Sequence, residues 1–203
     1  MVQEPIVLEK KESIAILTLN RPEKLNALNR LMIGELLMAF DEVRKDDTTR
    51  VLIITGSGHG FCSGYDVSEM DSIFDEEIYK SMEWKHFEPI GLSMLQLLNI
   101  GKTTIAAING AVAGAGFSLS LLCDFRVASV NAKFTTAFVK RGLIPDCGAT
   151  FMLPRIIGLP KALELCYSGD VIDAYEAEKI GLVTKVVLGE RLIDECMQLY
   201  IAT

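Results

Sequence analysis

The amino-acid sequence predicts an α/β fold with a largely parallel sheet. Short apolar runs such as Val51–Thr55 and Ile105–Ile108 alternate along the chain with segments of helical periodicity. Strands that alternate with helices at this spacing form parallel sheets, because the helices supply the crossover connections. The chain has 203 residues, of which 50% are hydrophobic, and this suits a single domain over residues 1–203 with a sizeable core.

Composition narrows the classes of partner and location. Lys and Arg number 20 against 27 Asp and Glu, and no basic cluster is present, so we expect no nucleic-acid partner. The five cysteines are scattered without a Cys-x-x-Cys pair, which indicates reduced thiols in a cytoplasmic protein. The sequence opens MVQEP without a signal segment, and its uncharged stretches are too short for a membrane span.

The first third of the chain begins with a predicted hairpin, Ile6–Leu8 and Ile14–Leu19, whose apolar residues lie on either side of a charged turn. A turn-rich loop covers residues 20–28. Asn29 can cap a helix that runs to Arg44 or Lys45. Its apolar face is marked by residues that recur near helical spacing, Leu31, Leu36, Phe40 and Val43. The strand Val51–Thr55 then leads into a glycine-rich turn.

The remaining elements follow the same alternation. Phe125–Ala128 and Val183–Val187 are predicted strands, and Phe134–Phe138 is predicted to be partly extended. The predicted helices cover 75–98, 116–122, 147–157, 161–167, 174–179 and 190 onward. The last helix reaches Thr203 without a Gly or Asn cap, so we expect the C-terminal helical part to be truncated.

The stretch Asn109–Asp124 (NGAVAGAGFSLSLLCD) is the centre of the functional prediction. Three glycines among small residues join a buried strand to a helix that is apolar on nearly every side. The free amides at such a helix start can hold an anion, either a phosphate or an oxyanion formed during a reaction. The alternative is that small residues only let the helix pack tightly on the sheet.

Few side chains offer chemistry. His59 and His86 lack the partners of a nucleophile, no GxSxG elbow is present, and no cluster has metal-ligand spacing, so we expect no metal. Two glycine turns remain, near Tyr65 and near Ala115, and two converging amides would form an oxyanion hole. Asp146 lies in a tight apolar turn after a proline. Burial would raise its pKa and suit it to proton transfer, or it only caps a helix that begins at Cys147.

These motifs resemble the crotonase superfamily, the enoyl-CoA hydratases and isomerases, over essentially the whole chain. The matching segments are Arg21-Pro22 with Asn26-Ala27-Leu28, Phe61-Cys62-Ser63-Gly64-Tyr65-Asp66, Asn109-Gly110 with Gly114-Ala115-Gly116, Cys123-Asp124, and Gly142-Leu143-Ile144-Pro145-Asp146-Cys147-Gly148. Their order and spacing together are highly specific.

The resemblance implies a spiral of ββα units that assembles as a homotrimer or a dimer of trimers. It implies an acyl-CoA thioester substrate, with coenzyme A as part of that substrate and no further cofactor. The thioester oxygen would lie between the amides of Tyr65 and Ala115. Coenzyme A and the acyl group would contact Lys24, Leu25, Ala27, Ser63, Gly64, Asp66, Gly114, Phe138 and Leu143, although Asp66 is expected mainly to fix its own turn.

The departures from the family pattern favour one subtype. The two glutamates with which hydratases position water are matched by Ser118 and Phe138, neither of which can act as a base. Asp146 stands where single-acid isomerases carry their acidic residue, as in the phenylacetate-pathway epoxide isomerase and Δ3,Δ2-enoyl-CoA isomerases. Ala149 replaces a usual glycine. The resemblance therefore implies an enoyl-CoA isomerase, with an enoyl-CoA hydratase or a catalytically weak acyl-CoA-binding protein as alternatives.

Overall fold

Two sheets and their connecting helices form the fold of the computed structural model, which describes residues 4–70 and 88–201. The strands in chain order are β1 (Ile6–Lys11), β2 (Ile14–Leu19), β3 (Val51–Gly56), β4 (Gly60–Cys62), β5 (Thr103–Ile108), β6 (Ala111–Ala113), β7 (Phe125–Ser129), β8 (Lys133–Thr135), β9 (Ile172–Asp173) and β10 (Lys185–Val187). The helices are α1 (Arg30–Lys45), α2 (Val67–Met70), α3 (Glu88–Leu98), α4 (Gly114–Leu121), α5 (Ala149–Ile157), α6 (Leu159–Ser168), α7 (Ala174–Lys179) and α8 (Leu192–Ile201).

The large sheet has the strand order β1-β2-β3-β5-β7-β10. Only the predicted hairpin β1–β2 is antiparallel; the other neighbours in this sheet pair in parallel. Ile105 of β5 pairs with Ile53 of β3 on one side and Phe125 of β7 on the other. The central strands are buried because helices and the small sheet cover both faces, which explains their continuous apolar sequences. The predicted α/β class with a mostly parallel sheet is confirmed.

The small sheet, ordered β4-β6-β8-β9, was missed by the sequence analysis. Strands of two or three residues are too short to show an alternating pattern, and two of them lie inside glycine-rich turns. The pairs β3–β4, β5–β6 and β7–β8 each place a long strand in the large sheet and the next short strand in the small one. The chain therefore winds as ββα units, and the segments following the short strands gather at one edge.

Helix α1 follows the prediction closely. The Asn29 side chain accepts a hydrogen bond from the Met32 amide at 2.9 Å, and so caps the helix. Leu31, which the periodicity placed on the apolar face, is instead 55% exposed, and Met32 and Ile33 are buried in its place. Of the predicted long helix 75–98, the part 88–98 is confirmed as α3, and 75–87 lie outside the described residues. Among the described residues no helix is both long and apolar enough to cross a membrane.

Candidate active site

Parallel pairing of β4 with β6 brings the two glycine turns together. Gly60 pairs with Ala111 and Cys62 with Val112, so the residues after each strand emerge at the same edge of the small sheet. A methyl group on Gly64 would lie 3.1 Å from the Ala113 carbonyl oxygen and 3.5 Å from the Ala115 nitrogen. Gly64 also has a φ of 104°, which a side chain would strain. The turn before Tyr65 and the turn before Ala115 are therefore in direct contact.

The backbone amides of Tyr65 and Ala115 are available at this contact. Leu28 donates its amide to the Gly64 carbonyl at 2.7 Å and accepts from Asp66 at 2.8 Å. Both bonds lie on one side of the Tyr65 strand segment, and the Tyr65 amide donates to no group within residues 4–70 and 88–201. Ala115 is the second residue of α4, so its amide has no acceptor inside the helix. Adjacent free amides of this kind can share one oxygen.

Gly116 allows α4 to approach β4. A methyl group there would lie 2.3 Å from the Cys62 carbonyl oxygen, a separation that no real side chain tolerates. Its residues from Ala115 to Leu121 are all buried, as its nearly continuous apolar sequence predicted, and the helix packs on the small sheet. Tight packing and free amides are thus both properties of this stretch, and the two interpretations of its glycines do not exclude each other.

An ion pair between Arg21 and Asp66 stabilises the turn that contains Tyr65. Arg21 contacts the Asp66 carboxylate at 2.9 Å and donates a second hydrogen bond to the Ala27 carbonyl at 2.6 Å. The amide and hydroxyl of Ser68 donate to the other carboxylate oxygen. These Ser68 bonds, together with Arg21, lower the pKa of Asp66 to about 2. The Asp66 carboxylate is occupied by its own neighbours, which supports the expectation that it fixes its turn.

Asn26 joins the predicted coenzyme A loop to β4. It is fully buried, and its amide nitrogen donates to the carbonyls of Ser57 at 2.9 Å and Gly60 at 2.8 Å. Its oxygen accepts from the Arg21 amide at 2.9 Å. From the residues alone, Asn26 was expected only to form part of a turn, because its partners Ser57 and Gly60 are more than thirty residues away and leave no local signal.

The other predicted coenzyme A contacts lie along the same loop. Lys24 and Leu25 are exposed, Ala27 is buried, and Ser63 donates its hydroxyl to the Lys24 carbonyl at 3.1 Å. The structure therefore brings Lys24, Leu25, Ala27, Ser63 and Gly64 together beside the first turn. It leaves the Lys24 side chain open to solvent.

Asp146 does not cap a helix. Helix α5 begins at Ala149, two residues later than predicted, and its N-cap is Gly148, which has a φ of 89° and no side chain to offer. Cys147 between them has a φ of 49°, an uncommon value for a residue with a side chain. The helix-cap alternative is therefore wrong for Asp146, whose turn is shaped by the left-handed residues that follow it.

The environment of the Asp146 carboxyl differs from that of Asp66. Asp146 is exposed as a residue, yet desolvation by neighbouring groups raises the pKa of its carboxyl above the ordinary 3.8. A hydrogen bond from the Cys147 thiol opposes this rise only partly. The same contact and burial raise the pKa of the thiol, so Cys147 stays protonated. Of these two carboxyls, Asp66 has a lowered proton affinity and Asp146 a raised one.

Ser118 and three of the predicted substrate contacts, Gly114, Phe138 and Leu143, lie around this carboxyl turn. Ser118 is fully buried in α4 and donates its hydroxyl to the Asp146 carbonyl at 3.0 Å. Phe138 is 5% exposed, and its carbonyl accepts from the half-buried Leu143 at 3.0 Å. Gly114 lies at the start of α4, one turn before Ser118. His59 is exposed in its glycine loop, and His86 lies outside the described residues.

Together the fold and the site define a protein with two adjacent free amides and, in a turn that the same helix contacts through Ser118, a carboxyl of raised proton affinity. A family profile described as Enoyl-CoA hydratase/isomerase matches residues 9–201. This chain belongs to the enoyl-CoA hydratase/isomerase family, and the resemblance to the crotonase superfamily is confirmed.

Among the proteins that are similar to this chain, some are named hydratases and others isomerases. Crotonyl-CoA hydratase of Syntrophomonas wolfei is 42% identical over 197 residues, 96% of this chain and 74% of that protein. The 1,2-epoxyphenylacetyl-CoA isomerase of Escherichia coli is 38% identical over 201 residues, 98% of this chain and 75% of that protein. The crystal structure of a monofunctional enoyl CoA isomerase from M. smegmatis has a TM-score of 0.82 at 34% identity, covering 97% of this chain and 83% of its own.

Proposed function

We propose that this protein is an acyl-CoA double-bond isomerase that uses Asp146 as its single acid and base. The observation that carries the proposal is the contrast between the two carboxyls near the turns. Asp66 is held ionised by Ser68 and Arg21, whereas burial raises the pKa of Asp146. A carboxyl that both removes and returns a proton works best when its pKa is raised towards the working pH.

The proposed reaction is a proton shift on a 3-enoyl thioester. Asp146 removes a proton from C2, and the electron pair of that bond moves into the thioester carbonyl, whose oxygen becomes an enolate. The amides of Tyr65 and Ala115 donate hydrogen bonds to this oxygen; one such donor contributes about 3 to 4 kcal/mol of transition-state stabilisation. The oxygen lone pair then re-forms the carbonyl, the C1–C2 pair of the enolate becomes the C2–C3 double bond, and the C3–C4 pair takes the proton of Asp146 at C4, which restores the carboxylate.

Hydration is the second candidate, because a relative that is 42% identical to this chain is named a crotonyl-CoA hydratase. Against it, the positions matched to the two hydratase glutamates hold Ser118 and Phe138. The Ser118 hydroxyl is engaged with the Asp146 carbonyl, and Phe138, which is buried, has no group that could position a water. No cofactor beyond the coenzyme A of the substrate is needed for the proposed reaction.

The proposal extends to the setting of the enzyme. We expect one acyl-CoA-binding domain, a cytoplasmic location, and assembly as a homotrimer or dimer of trimers. Exposed apolar side chains on α5 and α6, such as Phe151, Leu159 and Tyr167, support assembly. Light scattering on the purified protein tests the oligomeric state.

The test of the activity is a spectrophotometric assay with 3-enoyl-CoA and 2-enoyl-CoA thioesters on the native chain, Asp146→Asn and the control Asp47→Asn. Asp47 is an exposed acid after α1, far along the chain from the site. We expect isomerisation by the native chain and the control, and a loss of roughly a hundredfold or more in Asp146→Asn. Isomerisation that survives in Asp146→Asn, or hydration without isomerisation, would overturn the proposal.

A further inference from the structure

Ser118 touches both halves of the candidate site. Its hydroxyl oxygen lies 3.0 Å from the Asp146 carbonyl oxygen and 3.4 Å from the Gly114 carbonyl oxygen. A hydroxyl carries one proton, so it can serve only one of these acceptors fully, and the shorter distance assigns the proton to Asp146. The side chain is completely buried, so no water competes for this bond.

The bond crosses between elements that are distant in sequence. Ser118 belongs to α4, three residues after Ala115, which places it about 4.5 Å further along the helix axis. Asp146 is 28 residues away in the turn before α5. The Ser118 hydroxyl therefore links the helix that carries the Ala115 amide to the turn that carries the Asp146 carboxyl.

Among residues 4–70 and 88–201, the Asp146 turn has few other hydrogen bonds from outside it. Its carbonyl also accepts from the Ala149 amide at 2.9 Å, but that bond lies within the turn itself. The two residues after Asp146 have positive φ values, 49° for Cys147 and 89° for Gly148. A non-glycine residue in that region persists only where its surroundings impose it. The Ser118 hydroxyl is a contact from outside the turn that can do so.

We propose that Ser118 is a positioning residue: its hydroxyl tethers the turn of Asp146 to the helix that carries Ala115, and so sets the distance between the carboxyl and the oxyanion. This inference rests on the proposed isomerase function. Ser118 acts through Asp146 and does not touch the reacting atoms. Misplacing a catalytic group by about 1 Å costs on the order of a hundredfold in rate.

The chain offers a matched control in Ser120. It lies in the same helix, is equally buried, and donates its hydroxyl to the Phe117 carbonyl inside the helix at 2.7 Å. Ser120→Ala therefore removes a buried hydroxyl from α4 without touching the Asp146 turn. Ser118→Ala removes the tether, and Ser118→Thr keeps a hydroxyl in its place.

We expect Ser118→Ala to lower kcat for 3-enoyl-CoA isomerisation by roughly 10- to 100-fold with little change in KM. Ser120→Ala should keep the native kcat, and Ser118→Thr should recover most of the loss. A merely structural role would lower the melting temperature of both alanine variants alike and leave kcat of the folded protein intact. Equal kcat values for Ser118→Ala and Ser120→Ala, on folded protein, would overturn the assignment.

Hydrogen exchange followed by mass spectrometry separates this inference from the function itself. In Ser118→Ala the amides of a peptide covering 143–152 should exchange roughly tenfold faster than in Ser120→Ala, whether or not the protein isomerises any substrate. Faster exchange together with an inactive native chain means that the tether is real and the proposed function is wrong. Unchanged exchange refutes the tether, even if Asp146→Asn is inactive and the function stands.

Discussion

The Arg21–Asp66 ion pair can be tested as the support of the Tyr65 turn by replacing Arg21 with Met. The pair is poorly accessible, with side chains 17% and 7% exposed. Arg21→Met removes the contact to Asp66 and the hydrogen bond to the Ala27 carbonyl, while the methionine fills the space of the aliphatic stem. The Asp66 carboxylate is then left buried with only the two Ser68 donors.

Breaking one side of a buried pair costs about 3–5 kcal/mol, since an uncompensated charge stays inside the protein. The Ser68 donors remain, so we expect the lower end, about 3 kcal/mol in the free energy of unfolding. The double variant Arg21→Met/Asp66→Asn removes both charges and should be less destabilised than the sum of the single variants. A coupling of roughly 1–3 kcal/mol is expected for residues in direct contact.

The same pair predicts a dependence of stability on pH. The folded protein holds the pKa of Asp66 at about 2, below the 3.8 of a free aspartate. A lowered carboxyl pKa contributes stability that is present above the unfolded value and lost as pH falls through the folded value. This contribution is about 2 kcal/mol at neutral pH and disappears between roughly pH 5 and pH 2. Asp66→Asn should lack this part of the acid sensitivity.

Urea unfolding of the native chain, the two single variants and the double variant measures these quantities, with Asp47→Asn as an exposed control. A cost below about 1 kcal/mol for Arg21→Met, or a coupling near zero, would refute the account of the pair, since exposed ion pairs give such values. The link to function is measured in the same variants: a displaced Tyr65 amide should lower kcat more than it raises KM.

Further substitutions test the remaining parts of the site. Gly116→Ala should lower the free energy of unfolding by about 3 kcal/mol, because its methyl group would lie 2.3 Å from the Cys62 carbonyl oxygen. Gly34→Ala, whose methyl group would enter open space beside α1, should raise it by up to about 1 kcal/mol. Thermal unfolding of the two variants compares these effects. Asn26→Ala should cost roughly 3 kcal/mol, since it removes the hydrogen bonds that Asn26 makes to the Ser57 carbonyl and the Arg21 amide and leaves the Gly60 carbonyl with Asn109 as its donor; a cost near zero would contradict the role given to Asn26. Isomerase activity requires the ionised Asp146, so it should fall on acidification through a pKa above 3.8, which a pH–rate profile locates. The raised pKa means that the ionised form of Asp146 is disfavoured in the folded state. The free energy of unfolding of Asp146→Asn, measured at neutral pH, should therefore be no lower than that of the native chain.

The sequence predicts those parts of the structure whose causes are local. The Asn29 cap and the helix α7 over Ala174–Lys179 were placed correctly, because side-chain capping and apolar periodicity act within one or two turns. The small sheet was not found, since its strands owe their pairing to the winding of the chain and not to their own residues. The start of α5 was placed two residues early, because Cys147 has a left-handed backbone and a cysteine in the sequence gives no sign of that conformation.

The two aspartates show why the proton affinities at the site were harder to predict from the sequence than the positions of its residues. Asp66 and Asp146 have the same side chain; Asp66 directly follows Tyr65, and the turn of Asp146 accepts a hydrogen bond from Ser118 in the helix that carries Ala115. Their different proton affinities come from their surroundings: Ser68, two residues after Asp66, and Arg21, 45 residues away, lower the pKa of Asp66, and no cation plays that part for Asp146 among the contacts that set its pKa. From the residues alone, proton transfer and helix capping were both open for Asp146, and the family resemblance favoured proton transfer. The physical reason lies in the tertiary structure, which neutralises one carboxyl with an arginine and leaves the other partly desolvated beside a thiol.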